Sequence, residues 1–380
     1  MTARALSRLS EFDRLRGLIM VLMAIDHASF FIARVHASET WFAPGEYAST
    51  TAFVTRWVTH LCAPGFFMLM GAGLVWLAEA RRRDGWTPAR IRRFFVTRGL
   101  VLLVIQHVVE NPAWLLGMVS AADGAGAAPP TGGDTGDVYL AFAVISALGA
   151  AMIFWGVLLR LPSAAIAVLT AAAFVAGWAA TPAASDVAVA FSIPMRLFFV
   201  MGQTSPVVVA YPFVPWLVPA GLGVLLGRAM LADADRARRS LPWLGLGAIT
   251  LFAALRAAGL GDYHQAGPGM IGFLNLTKYP PSLDFLLVTL GINLMLVTLL
   301  ARMRTRAIAG PLEVFGRSPL FFYLLHLYVF GALSWGFPRG TSWPVMYAVW
   351  AVAVAAMYPA CRWYAGFKAR RPADSVWRLL

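Results

Sequence analysis

Charge is scarce in this chain. Only 13% of its 380 residues are Asp, Glu, Lys or Arg, whereas 59% are hydrophobic and the mean hydropathy is +0.69. That composition excludes a soluble domain, which could not bury so much apolar surface, and leaves an all-α polytopic membrane protein. Cysteine is nearly absent: Cys62 and Cys361 both lie in apolar runs and say nothing about redox compartment. No P-loop, GxGxxG before a helix, GxSxG or HExxH occurs, so the common phosphate-cradling and hydrolytic signatures are missing. Internal repeats of fixed period are missing too. The chain reads as one transmembrane domain, 1–380, with 1–14 and 366–380 as its cytoplasmic ends.

Acidic residues are also few, 18 against 31 Lys and Arg, for a formal net charge of +13. Their placement explains the excess. Hydropathy gives ten spans, roughly 15–34, 55–79, 94–117, 138–159, 162–181, 207–230, 242–260, 282–302, 318–337 and 344–365. Basic runs such as "RRRDGWTPARIRR", "DADRARR" and "RMRTRAIAG" fall between alternate spans. All of the 31 Lys and Arg lie at one face except Arg34, Arg56, Arg196, Arg256, Lys278 and Arg339. The positive-inside rule then puts both termini in the cytoplasm and the protein in the cytoplasmic membrane. The basic balance is topology and does not point to nucleic acid. A signal peptide cut after "VHA" fits poorly, because Asp26 and His27 would interrupt its apolar core, so the first helix is expected to be retained.

Ionisable residues at membrane depth are costly and usually serve a function. At about 1.5 Å per residue, Asp26 and His27 sit roughly 15–18 Å into span 1, near the midplane. His60 lies in the outer part of span 2, Gln106, His107 and Glu110 in the outer half of span 3, and His326 near the middle of span 9. Lys278 and Asp284 sit at the outer mouth of span 8. Any one histidine could be a core residue bonded to a neighbouring helix. Four of the six at one depth point instead to a shared polar cavity open toward the outside. Arg16 and His27 are eleven residues apart, about three turns, so they mark two ends of one helix face about 16 Å long. Pro64 and Gly65 follow His60 by one turn and predict a kink that frees carbonyls. "FLNLTKYPPSLDF" brings Asn275, Thr277, Lys278 and Tyr279 ahead of two prolines that start span 8 abruptly. A metal site from His27, His60 and Asp26 is not required by the spacing, and no metal is expected.

"RLRGLIMVLMAIDH", "HLCAPGFFMLMGAG", "YPFVPWL", "FLNLTKYPPSLDFLLVTLG" and "GRSPLFFYLLHLY" together resemble the bacterial branch of the heparan-α-glucosaminide N-acetyltransferase family. The likeness runs from about Asp13 to Leu327. In the wider transmembrane acyltransferase superfamily an arginine followed some ten residues later by a histidine is a signature, matched here by Arg16 and His27. The resemblance implies transfer of acetyl from cytoplasmic acetyl-CoA to an amine or hydroxyl of an amino sugar or glycan at the outer face. His27 is then the expected base or nucleophile, with Asp26 orienting it; His36 and His60 are the alternatives. His326 or Lys278 would stabilise the oxyanion. Arg16, Arg82, Arg92 and Arg317 would hold the CoA phosphates, and Asn275, Tyr279, His107 and Glu110 the acceptor. The expected partners are the lipid bilayer, acetyl-CoA and the acceptor, with homo-oligomer formation left open. A proton-coupled transporter with a midplane polar site is the reading from another class, and acetyl-CoA turnover by purified protein separates the two.

Overall fold

The computed structural model describes residues 10–122, 140–183, 191–372, 375 and 377. The first nine residues, the glycine-rich connection from Asp123 and parts of the expected cytoplasmic tail lie outside the described residues. The described chain is a helical bundle. Helix α1 (Ser10–Ala28) ends in a wide turn, Ser29–Ala33, and is followed by α2 (Thr50–Thr59), α3 (Cys62–Arg83), α4 (Pro88–Ile105) and α5 (Asn111–Met118). Then come α6 (Val144–Leu158), α7 (Ser163–Ala180), α8 (Ile193–Phe198), α9 (Phe213–Ala232), α10 (Ala234–Ala257) and α11 (Gly269–Leu274). The chain ends with α12 (Leu283–Ala301), α13 (Arg306–Arg317), α14 (Pro319–Leu333) and α15 (Trp343–Ala369). A small sheet is the exception: β1 (Leu140–Phe142) runs parallel to β3 (Val207–Val209), which pairs antiparallel with β2 (Gly202–Thr204).

Among the described residues nine segments are long and apolar enough to cross a membrane, and α6 is a shorter apolar helix. Counting α6, ten crossings would return the chain to the face where it began, here called the terminal face. Each of the ten expected spans contains an apolar helix, with instructive differences. Span 6 starts at Phe213, because 207–209 form a strand. Span 7 starts early, at Ala234, because the side chain of Asp233 accepts from Arg236 N and caps the helix inside the charged run. The stretch after α12, expected as a loop, contains α13, whose Ala309 and Phe315 are buried.

Span 2 breaks where proline chemistry requires. Pro64 has no N–H to give the carbonyl of His60, so α2 stops at Thr59 and α3 begins at Cys62. After α1 the chain turns through Arg34, in left-handed backbone geometry (φ 59°), and its continuation runs back into the protein. Glu39, Thr40 and Trp41 are all buried there. The Glu39 carbonyl accepts from the backbone N–H groups of Lys278 and Tyr279, each at 3.1 Å, so this segment is sewn to the "TKYPPS" turn.

Close helix packing rests on small residues. A Cβ at Gly71 would run into the Ala220 carbonyl, and one at Gly223 into that of Met68, so α3 and α9 meet backbone to backbone. Gly17 and Gly316 do the same for α1 and α13. Gly223→Leu is therefore expected to cost at least about 1–3 kcal/mol by overpacking, read as a lower melting temperature in detergent. Gly247, which faces open space, should tolerate Ala without loss. Equal melting of the two variants would contradict this account of the contact.

Candidate active site

Two groups of polar side chains meet on α1. The first surrounds His27. His326 Nδ1 donates to the Phe322 carbonyl at 3.0 Å, as only a protonated nitrogen can. Its Nε2 therefore carries the lone pair and accepts from His27 Nδ1 at 2.6 Å. This leaves His27 Nε2 as an unprotonated nitrogen, the form a general base requires. The His27 and His326 rings lie nearly coplanar and edge to edge, 12° between planes and 4.9 Å between centroids, with Trp114 edge-on to His27 at 5.1 Å. Tyr323 donates to Glu110 Oε1 at 2.6 Å, and Trp114 Nε1 donates to the same oxygen at 3.3 Å. His326 is fully buried, while His27 keeps 8% of its surface, so only His27 of this pair can reach a substrate.

The second group is a buried ion network. Arg56 donates to both Asp26 oxygens, at 2.7 and 2.8 Å, and to both Glu39 oxygens, at 2.7–3.1 Å. Thr59 adds a hydrogen bond to Asp26 at 3.0 Å. His60 Nε2 and Tyr47 O–H donate to Glu39 Oε1 at 2.8 and 2.7 Å. His36 lies above Asp26 with Nδ1 3.9 Å from Oδ1, and that nitrogen is buried without a hydrogen bond. Lys278 is 4% exposed; among the described residues its ammonium has no ion pair, only the Tyr279 ring at 5.1 Å.

Burial pushes the Glu39 carboxyl up, but Arg56 and His60 outweigh it and hold the group below the usual carboxylate range. Burial, with Arg56 adding to it, lowers His36 to about 4, so this ring is neutral at physiological pH.

A cavity of about 910 Å³ runs inward from the terminal face. Arg16, Arg81, Arg98, Arg317, Arg362 and Lys368 line its mouth; Met20, Leu69, Met70 and Leu102 line its walls. Tyr323 lines its inner part and stands 6.2 Å, ring to ring, from His27. Arg16 donates to Asp13 and to the Gly316 carbonyl, and Arg317 pairs with Glu313. Arg98 has no acidic partner among the described residues, and its Nε is buried without a hydrogen bond.

Several expectations need correction. Asp26 does not hold His27: adjacent residues on a helix point about 100° apart, and its oxygens are taken by Arg56 and Thr59. Arg82 and Arg92 do not line the large cavity. Arg82 is bonded to Glu79, and both line a separate, smaller one. Asn275 clasps the backbone of Gly45 with both ends of its amide, a structural task. His107 accepts from Asn111 and packs on Phe142, apart from the His27 pair. His60 is bonded to Glu39, not to His27. Tyr279 stays near the network, its hydroxyl 3.4 Å from that of Tyr211. Arg56, Glu39, Tyr323 and Arg98 are the members that sequence reasoning missed. Arg56 had left a signal, as one of six cations off the basic face.

The catalytic-domain model of the heparan-α-glucosaminide N-acetyltransferases matches residues 8–259, about two thirds of the chain. The chain belongs to that family. It is a multi-pass membrane protein of the N-acetyltransferase class. The match takes in His27, Glu39 and Arg56 but stops before Lys278 and His326. No curated protein matches the chain.

Removing Arg56 would leave two buried carboxylates without their cation, which typically costs about 3–5 kcal/mol. Arg56→Met is expected to lower the melting temperature sharply, with Glu39→Gln in the same chain recovering part of the loss. The contribution of Glu39 is present above the ordinary carboxylate range and fades as pH falls toward its lowered value. Wild-type melting of Arg56→Met in detergent at neutral pH would show that the network carries little stability.

Proposed function

We propose that acetyl-CoA enters the 910 Å³ cavity from a cytoplasmic terminal face and that its acetyl group passes to an amine or hydroxyl of a sugar arriving from the opposite side. The observation that carries this reading is the cavity itself, cationic at its mouth, apolar along its walls and reaching Tyr323 beside the His27–His326 pair. A nucleotide with phosphates matches the mouth and a pantetheine arm the walls. The span from Arg16 to His27, about 16 Å along α1, suits that extended ligand.

In this mechanism His27 Nε2 takes the proton of the acceptor as its nitrogen or oxygen attacks the thioester carbonyl. The tetrahedral oxyanion is stabilised by the unpaired ammonium of Lys278. Collapse expels CoA as a thiolate, which recovers the proton. A holding role at the mouth falls to Arg98 first, because it has no acid to satisfy, and to Arg16 and Arg317 beside it. No metal is needed for these steps.

A second assignment of the base has its own observation. His36, not His27, lies within 4 Å of the Asp26 carboxylate and has a buried nitrogen awaiting a partner. The two assignments separate by mutation and by pH. Loss of the base is expected to lower turnover by about 10²–10⁴-fold, so His27→Gln and His36→Gln, assayed for acetyl transfer at matched monodispersity, identify it. Near-wild-type turnover in both would remove both histidines from the role. A base must be neutral to act, so with His36 as base turnover should persist down to about pH 5 and fall as pH approaches about 4. An acid limb near pH 6.5 would exclude His36.

The donor site has a test of its own. Arg98→Gln should raise the Kd of CoA roughly tenfold or more, measured by titration calorimetry, because charge-assisted hydrogen bonds contribute about 1.5–3 kcal/mol. Unchanged affinity in Arg98→Gln and in Arg16→Ala would place CoA elsewhere.

A further inference from the structure

Arg82 and Arg92 leave a question behind once the large cavity is assigned without them. They line a second cavity of about 380 Å³, at the terminal ends of α3, α4, α6 and α9. Arg160 and Arg228 line it too, so four guanidinium groups surround one small space. Among the described residues Glu79 is the one acid lining it, and it is already held by Arg82, at 2.9 and 3.0 Å, and by Arg83 at 2.8 Å. Arg92 and Arg160 have no ion pair among the described residues. Half-buried Arg228 spends its hydrogen bonds on neutral oxygens: the Leu159 and Leu161 carbonyls, each at 2.7 Å, and the Ser163 hydroxyl at 3.1 Å. Those bonds fix the α6–α7 connection around the cavity while leaving the charge of Arg228 uncompensated. Below the arginines the walls are apolar, formed by Val75, Ala78, Ile91, Val157 and Leu231. None of these residues lines the 910 Å³ cavity.

We propose that this second cavity is a binding site for an anionic phospholipid, its phosphate among Arg92, Arg160 and Arg228 and the start of an acyl chain against Val75, Ala78 and Val157. The site joins a surplus of positive charge to an apolar slot where four helix ends meet the terminal face. Basic pockets between transmembrane helices suit anionic headgroups, whose phosphates guanidinium groups grip in bidentate fashion. A free phosphate would satisfy the rim but leave the slot exposed to water. A zwitterionic lipid would fill the slot but bring a cation to the rim. The site is separate from the acetyl-transfer chemistry and stands whether or not that mechanism is right.

The test is native mass spectrometry on the full, delipidated protein in detergent, titrated with dioleoyl phosphatidylglycerol, dioleoyl phosphatidylcholine or inorganic phosphate. Wild type should hold one phosphatidylglycerol tighter than either of the others. Arg92→Gln with Arg160→Gln should raise the Kd of that lipid roughly 30-fold, at about 1 kcal/mol per arginine, with the melting temperature unchanged because both side chains are exposed. Ala78→Phe, which narrows the slot and leaves every charge in place, should also weaken the lipid without affecting phosphate. Equal binding of phosphatidylcholine would overturn the proposal, as would unchanged phosphatidylglycerol affinity in both variants. Inorganic phosphate bound as tightly as the lipid would reduce the site to a small-anion site and overturn it as well.

Discussion

The guanidinium of Arg56, shared between Asp26 and Glu39, is the contact on which the polar interior depends. Two carboxylates cannot stay charged in a membrane bundle without cations, and the low dielectric that makes them costly also strengthens their pairing. Arg56, on α2, reaches both because the segment after α1 turns inward to bring Glu39 to it. One cation does not balance two anions. Lys278 supplies the second positive charge nearby, without an ion pair to either acid, so Asp26, Glu39, Arg56 and Lys278 together sum to zero. That balance gives a physical reason for a buried lysine that has no ion pair among the described residues at the "TKYPPS" turn.

Helix geometry lets α1 serve both halves of the site. Asp26 and His27 are adjacent in sequence but diverge around the helix, so the acid joins the ion network while the histidine joins His326, Trp114 and Tyr323. A shift of α1 would disturb both. Its contact with α13 through Gly17 and Gly316, backbone against backbone, opposes such a shift.

Much of this was legible in the sequence. Hydropathy placed an apolar helix in each expected span, and Pro64 announced the break after His60; the depth arithmetic gathered His27, His60, His107 and His326 into one zone, of which His27 and His326 pair while His107 packs apart on Phe142. Pairings were harder to see, because they depend on which helix faces which. Asp26 beside His27 invited a dyad that the helix turn forbids, and Asn275 looked like a ligand although both ends of its amide are bound to Gly45. The six cations off the basic face held more information than was drawn from them. Five are buried: Arg34, Arg196 and Arg256 bond mainly to backbone carbonyls, Arg56 joins two acids, and Lys278 balances them. Only Arg339 is exposed. A cation that breaks the topological rule has to be accounted for by local structure, and Arg56 could have been found on that ground.

Accessibility within the polar layer limits where two substrates can meet. Glu39 and His326 have no exposed surface and His60 has 1%, so the centre of the network and the back of the histidine pair are closed. Asp26 and His27 keep 9% and 8%, and His36 is only half-buried. The accessible atoms thus follow a line from His36 past Asp26 to His27, with the large cavity approaching Tyr323 from the other side. Exposing Glu39 would separate it from Arg56, which costs several kcal/mol in a dry interior. His27 and His36 have no part in the Arg56 pairs, so a substrate can reach either ring without breaking them, and the proton acceptor is to be sought there.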